Sequence, residues 1–462
     1  MERFDLCVIG CGTAGSRAAA TAHAAGVKVL AVEGGERLGG LCILRGCMPT
    51  KTLLETAHRL AEIREASRFG IRNAQGEVDF PAQMERMRGL VERFRAAKVR
   101  GIENAGYEVR FGRPRFLGPH RLLLEGREIE TEYVLLSAGS VVPPLPVEVE
   151  EGARVVDSDA MFQLEAPPPR ACVLGAGPVG LEFAQWLARM GTKVHAVNRS
   201  PFLRKKDLEM GRELARALSS EMEVIAPSRL LAVRAGKDST LVDLEIPGEG
   251  RRTLEVDLVL NALGRIPNTE GVEGLQALGL EVEGGRIPCG PDLRTKVPHV
   301  FVAGDMTGSR LILHDANLEG ALVGRNVRRL LDGNEDLETL DPAIPPVEVI
   351  FTDPPMASAG LGPVECEARG LEWRTAVKRF PEQGRGIVMG AEYGFLRLNA
   401  APDGRLLGCQ ILGPRADDLI HVPAAILAYG GNAQDLVTRI PWYHPTLSEA
   451  FLDAARELAP QP

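Results

Sequence analysis

The stretch "FDLCVIGCGTAGSRAAATAHAAGVKVLAVEGG", residues 4–35, reads as a strand, a glycine turn, a helix of small residues and a second strand. Gly10, Gly12 and Gly15 fit G-x-G-x-x-G: the first glycine permits the tight turn, the second close approach of a pyrophosphate, the third close helix–strand packing. The amide groups at the start of the helix then face the phosphates. Glu33 closes the second strand where a carboxylate would meet a ribose hydroxyl. The pattern recurs in "RACVLGAGPVGLEFAQWLARMGTKVHAVNRS", residues 170–200, with Gly175, Gly177 and Gly180, which implies a second dinucleotide site. Its second strand ends differently, on Asn198 and Arg199, with Arg204, Lys205 and Lys206 close behind. A carboxylate there accepts from a 2′-hydroxyl and repels a 2′-phosphate, whereas arginine does the reverse. The segment reads either as an NADP-selecting loop or as a solvated basic loop.

Proline clusters at 141–146, 166–170 and 341–348 punctuate the chain and serve as plausible linkers. "EYVLLSAGS" (132–140) and "VPHVFVAGDMTG" (297–308) each read as an apolar strand ending at a glycine, Gly139 in the first case. These crossovers flank the second nucleotide unit, so the first domain is expected to be discontinuous. Beyond residue 345 the nucleotide patterns stop and short strands alternate with helices. The expected fold is α/β: two Rossmann-like dinucleotide-binding domains, at 1–145 with 268–343 and at 146–267, followed by an α+β domain at 344–462.

The chain has 462 residues, 45% hydrophobic and 25% charged, as a multidomain globular protein requires. A net charge of −8 makes nucleic acid and anionic membrane poor partners. The start "MERFDLCVIG" enters a strand at once, with no signal-peptide pattern and no long apolar run, so a cytoplasmic protein without membrane contact is expected. Of the eight cysteines, Cys7, Cys11, Cys172, Cys289, Cys366 and Cys409 stand singly and read as buried hydrophobes.

Cys42 and Cys47, in "GGLCILRGCMPTK" (39–51), form the one close pair. On a regular helix their Cα atoms would be about 8–9 Å apart, while a disulfide needs less than about 7 Å. The pair can bridge only across a distorted backbone, for which Gly46 gives freedom. Pro49 places a helix start near Cys47, where a thiol's pKa is lowered. Four metal ligands are not assembled, so no metal is expected. A redox-active pair and two buried thiols remain the alternatives. Near the C-terminus, "WYHPTLSEA" (442–450) offers Thr446 and Glu449 as a capping box opening the last helix. His444 is a candidate proton acceptor for dithiol chemistry, which Glu449 could orient; otherwise Glu449 merely caps.

With these pieces, "VLNALGRIPNT" (259–269) and "TKVPHVFVAGD" (295–305), in order, the chain resembles the pyridine nucleotide–disulfide oxidoreductases along essentially its whole length. The dihydrolipoamide dehydrogenases are the most similar branch, from "HPTLSE" and "LILHDANLEG" (311–320). The resemblance implies that Gly10, Gly12, Gly15, Glu33 and Asp305 hold FAD, that Gly175, Gly177, Gly180 and Arg199 take the nicotinamide nucleotide, and that Gly139, Arg204 and Gly264 are further cofactor-binding positions; the basic strand end favours NADP(H) over NAD(H). It implies that Cys47 is the thiolate partner of the flavin and that Cys42 exchanges with substrate. Lys51 would lie by the flavin, paired with Glu182. The C-terminal domain would form a homodimer whose active sites are shared, His444 and Glu449 coming from the other subunit. The expected substrate is a small disulfide or one on a lipoyl domain. Reduction of a low-molecular-weight disulfide, as in glutathione reductases, is the alternative; a non-catalytic redox sensor is the alternative of another class. The chain departs from the family between the cysteines, where Ile43-Leu44-Arg45-Gly46 replaces a polar segment.

Overall fold

The computed structural model describes residues 1–460. The chain forms two compact units: Met1–Thr52, Met84–Pro143 and Gly264–Leu340 build the first, and Leu53–Gln83, Pro144–Leu263 and the chain from Asp341 onward build the second.

The first unit begins with β1 (Glu2–Ile9), α1 (Thr13–Ala24) and β2 (Val29–Glu33), the strand–turn–helix–strand of the opening motif. Two short-spaced helices follow, α2 (Gly40–Arg45) and α3 (Cys47–Glu65), the chain being counted with the second unit from Leu53 to Gln83, and then the long α4 (Phe80–Ala105). The strands β3 (Glu108–Phe111), β4 (Arg115–Gly118), β5 (Arg121–Leu124) and β6 (Arg127–Leu136) complete a sheet ordered β3-β2-β1-β6-β5-β4, with Val300–Val302 added to β6. Leu6 of β1 stands opposite Val29 on one side and Tyr133 on the other, all parallel. The central strands are apolar at consecutive positions because both faces are covered: Leu6, Cys7 and Val8 are each fully buried. One face is covered by α1 and the helix Leu313–Leu331, which approach closely through small residues. A Cβ on Gly320 would lie 2.2 Å from the Ala14 carbonyl oxygen, so that helix contact admits only glycine.

The second unit repeats the motif in β7 (Arg170–Leu174), α5 (Pro178–Arg189) and β8 (Lys193–Val197), followed by α6 (Leu208–Leu218), β9 (Glu223–Ile225) and, later, β10 (Leu258–Asn261). Its parallel sheet runs β9-β8-β7-β10, extended by Val155–Val156. Pro178 sits in the first turn of α5, where its missing N–H is harmless. From residue 347 a five-stranded antiparallel sheet carries helices on its face, around a core containing Phe380, Leu398, Ile411 and Phe451. Parallel strands behind both glycine turns, with β5 and β4 added antiparallel at one edge of the first sheet, and an α+β C-terminal region make up the α/β architecture expected from the sequence.

The isolated cysteines are buried as expected except Cys289, which is half-buried in a loop near Gly290 rather than in a strand. Among the described residues no helix is long and apolar enough to cross a membrane, and no cluster of three metal-ligating side chains forms.

Candidate active site

The two glycine turns share one construction. Gly10 adopts φ +100°, and a Cβ there would lie 2.4 Å from the Ser137 carbonyl oxygen. Gly175 adopts φ +114°, with the Ala262 carbonyl oxygen at 2.3 Å from its would-be Cβ. The third glycines are equally constrained: Cβ atoms on Gly15 and Gly180 would meet the Gly10 and Gly175 carbonyls at 1.9 and 2.0 Å. The middle glycines, Gly12 and Gly177, meet nothing within 4 Å. First and third positions are therefore required by packing, and the middle one presents bare backbone at the N-terminal end of α1 or α5. That is the cradle a pyrophosphate fits.

The ends of the second strands differ. Glu33 accepts from the Cys11 N–H through Oε2 at 3.2 Å and from the Gly35 N–H through Oε1 at 2.9 Å. Each oxygen keeps a lone pair for a ribose hydroxyl. In the second turn the Asn198 Oδ1 accepts from the Ala176 N–H at 3.2 Å, and its amide donates to the Ser200 carbonyl at 2.6 Å. Asn198 thus does the work of Glu33 without the charge. Arg199 and Arg204 are exposed, and among the described residues neither is paired with a carboxylate. Lys206 is different: its ammonium lies 3.4 Å from Glu348 and 3.2 Å from Glu365, so it belongs to the packing of the second unit and leaves the basic segment one cation poorer than it reads.

Asp305, in the short turn Gly304–Thr307, accepts from the Ser140 hydroxyl. Arg265 locks Ser140, donating to its hydroxyl at 2.9 Å and its carbonyl at 2.6 Å. Gly139 (φ +76°) and Gly264 (φ +124°) each precede one of two short paired strands, Ser140–Val141 and Ile266–Pro267. Beneath Asp305, the buried Glu319 accepts from the Gly304 N–H at 2.6 Å. Burial, helped by Asp315, pushes its carboxyl up to about 7. Arg265 is not evident in the sequence as a neighbour of Asp305, because it acts through Ser140, 125 residues away.

The cysteine pair straddles a break. Cys42 lies in α2 and Cys47 opens α3, with Gly46 between them at φ −137°, ψ −115°. A Cβ on Gly46 would sit 3.0 Å from the Leu41 carbonyl oxygen and 3.2 Å from the Cys42 Cα, so glycine is what lets the backbone fold back on the first cysteine. Cys42 is half-buried and Cys47 exposed. The Cys42 thiol is raised far above its ordinary value, first by its hydrogen bond with Cys47, then by burial and by negative charge on Cys47. Lys51, one turn into α3, opposes this weakly. The two thiols are thus in hydrogen-bond contact across the break, as a pair that exchanges between dithiol and disulfide requires. Glu182, buried on α5 in the second unit, accepts from the Phe351 N–H at 3.1 Å.

His444 is 80% exposed, and its Nδ1 lies 2.9 Å from Glu449 Oε1. The other oxygen, Oε2, accepts from the Thr446 N–H at 2.9 Å. The expected capping box forms only by half. The Thr446 hydroxyl donates instead to the Tyr443 carbonyl at 2.8 Å, and the helix begins at Glu449 itself, Glu449–Leu458. Glu449 thus holds the Thr446 N–H, in the turn ahead of the helix, and the His444 ring at the same time. Its carboxyl is held below the ordinary value, first by the Thr446 N–H and then by His444. Gln383 adds a support not visible in the sequence, donating to the Thr446 carbonyl at 2.7 Å.

The two glycine cradles suit two dinucleotides, and the thiol pair at a helix break suits disulfide exchange. The sequence profile of the family described as pyridine nucleotide-disulphide oxidoreductase matches residues 4–321, and its dimerisation domain matches residues 347–455. The chain belongs to this FAD-dependent, pyridine-nucleotide-using family. A dihydrolipoyl dehydrogenase of Thermus scotoductus is 33% identical over 100% of this chain and 98% of its own. Dihydrolipoyl dehydrogenase 3 of Pseudomonas aeruginosa is 32% identical over 99% of this chain and 98% of its own. A soluble pyridine nucleotide transhydrogenase of Mycobacterium bovis is 29% identical over 99% and 97%. Among solved structures, the Cu(II) complex of the HOCl-induced flavoprotein disulfide reductase RclA from Escherichia coli shares the fold, with a TM-score of 0.85 at 23% identity over 99% of this chain and 100% of that one.

Proposed function

We propose that the chain is a homodimeric oxidoreductase of the dihydrolipoamide dehydrogenase type, exchanging electrons between NADP(H), in preference to NAD(H), and a lipoamide-like dithiol or disulfide. The observation that carries this reading is the Cys42–Cys47 thiol contact across the Gly46 break. Two dihydrolipoyl dehydrogenase relatives matched over nearly their full length support the substrate class. Domains at 1–145 with 268–343, 146–267 and 344–462 would serve FAD, nicotinamide nucleotide and dimerisation.

FAD, when bound, exchanges an electron pair with the cysteines on one side and a hydride with the nicotinamide on the other. Gly10, Gly12, Gly15, Glu33, Gly139 and Asp305 would hold it, with Lys51 by the ring and Glu182 as its partner. In the dithiol-oxidising direction a substrate thiolate attacks Cys42 Sγ of the Cys42–Cys47 disulfide, and Cys47 leaves as thiolate. The second substrate sulfur then attacks the mixed disulfide, closing the substrate disulfide and releasing Cys42, which takes one proton. The other proton goes to His444, contributed across the dimer. Glu449 as an anion accepts from Nδ1–H, so Nε2 is the basic atom. The reverse sequence reduces a disulfide.

Asn198 in the carboxylate's place, followed by Arg199 and Arg204, supports NADP(H). The same feature favours a second reading, NADPH-dependent reduction of a low-molecular-weight disulfide such as glutathione. Steady-state lipoamide and glutathione disulfide reduction, each with NADH and NADPH, separates these. Lipoamide turnover with an NADPH preference is expected. Cys47→Ser should lose disulfide reduction while retaining bound FAD; unchanged turnover would reject the cysteine assignment.

A further inference from the structure

Lys98, the one lysine of α4, points its ammonium at the first turn of α1, donating to the Ser16 hydroxyl. That hydroxyl donates to the Gly12 carbonyl at 2.6 Å, so its proton is committed and it meets Lys98 as an acceptor. The surroundings are otherwise hostile to a cation. The start of α1 carries the positive end of the helix field, with no acidic residue in its first turn and no side-chain cap. Among the described residues no carboxylate pairs with Lys98. Burial holds the ammonium below its ordinary value, opposed only by the thiols of Cys11 and Cys42. Those thiols are themselves raised, Cys11 chiefly by burial, so they supply little negative charge near neutral pH. A half-buried cation held against a helix N-terminus without a protein anion is costly by itself.

The same turn presents Gly12 with open space where a Cβ would stand. Two sources of positive charge, the helix N–H groups and Lys98, thus flank one bare stretch of backbone, and only a multiply charged anion satisfies both. We propose that Lys98 is a cofactor-binding residue, its ammonium neutralising the pyrophosphate of the dinucleotide held at Gly10–Gly12–Gly15. This rests on the reading that FAD occupies the first turn. It also gives α4 a part in cofactor retention that neither the glycine motif nor the cysteine motif contains.

The test compares flavin-stripped wild type, Lys98→Met and Lys98→Arg, measuring FAD affinity by flavin fluorescence, competition by ADP and by adenosine, and melting of the apoprotein. Lys98→Met is expected to weaken FAD and ADP alike by about 10- to 100-fold, to leave adenosine unchanged, and to melt no lower than wild type without cofactor. Lys98→Arg should restore most of the affinity. Unchanged FAD affinity in Lys98→Met, equal losses for ADP and adenosine, or a lowered apoprotein melting temperature with no selective loss of ADP would each overturn the role. A wild-type chain that takes up no FAD would instead overturn the reading of the turn on which the role rests.

Discussion

The two glycine turns match almost bond for bond. Gly10 N–H donates to the Val32 carbonyl at 2.8 Å, and Gly175 N–H donates to the Val197 carbonyl at the same distance. Ser137 N–H reaches the Ile9 carbonyl at 2.9 Å, as Ala262 N–H reaches Leu174. The side chain bonded to the N–H between the first two glycines is where they part: a carboxylate in one, an amide in the other. Backbone geometry is therefore common to the two turns, and what distinguishes them is the charge that stands at the strand end. The surrounding cations follow the same division. In the first turn Lys98 reaches the helix start; in the second, Arg199 and Arg204 stand exposed beyond the strand.

The largest test exploits the middle glycines, which packing leaves free. Gly12→Val should fold yet lose FAD by at least about 100-fold. Gly177→Val should keep its full flavin content and lose reduction of the flavin by NADPH to a similar extent. Flavin absorbance and anaerobic stopped-flow reduction measure both, and parallel loss of flavin in the two variants would break the division of labour. Next, Asn198→Asp makes the second strand end resemble the first. It should shift the NADPH/NADH ratio of kcat/KM toward NADH by about 10- to 100-fold, read in the lipoamide assay. Arg199→Ala should raise the NADPH KM by about 10-fold with the NADH KM unmoved. Lys206→Ala, by contrast, should change either KM by less than about 2-fold, because its ammonium is already held by Glu348 and Glu365.

The smallest effect concerns Glu319, an acid buried beneath Asp305 in the first unit. Its carboxyl titrates about 7 in the fold against 4.5 ordinarily. Across that window the folded chain keeps a proton that the unfolded chain has released, so this group makes stability fall as pH rises. Glu319→Gln should flatten that part of the decline in melting temperature between about pH 4.5 and 7. An unchanged slope would show that the acid is already ionised in the fold.

Much of this was legible along the chain. The glycine spacings, the cysteine pair, the helix start at Cys47 and the two interleaved nucleotide units are local patterns, and local sterics write them into sequence. What was hidden depends on partners far away. Lys206 reads as a free cation because Glu348 and Glu365 lie well over a hundred residues downstream. Lys98 is a helix-face lysine until Ser16 is found beside it. Thr446 and Glu449 spell a capping box, yet the hydroxyl turns to Tyr443 and the first helical turn starts later than the motif suggests. Spacing names the candidates for a hydrogen bond but not which one wins.

The carboxylate of Glu449 gives one oxygen to the Thr446 amide and the other to the His444 ring. The turn leading into the last helix and the orientation of the imidazole thereby share one carboxylate. As pH falls through the depressed pKa of Glu449, one protonation weakens both bonds together, and the turn loosens as the ring loses its fixed orientation. Stability of this turn and orientation of the ring are therefore coupled: a substitution that firms the turn without this carboxylate leaves the imidazole free to rotate.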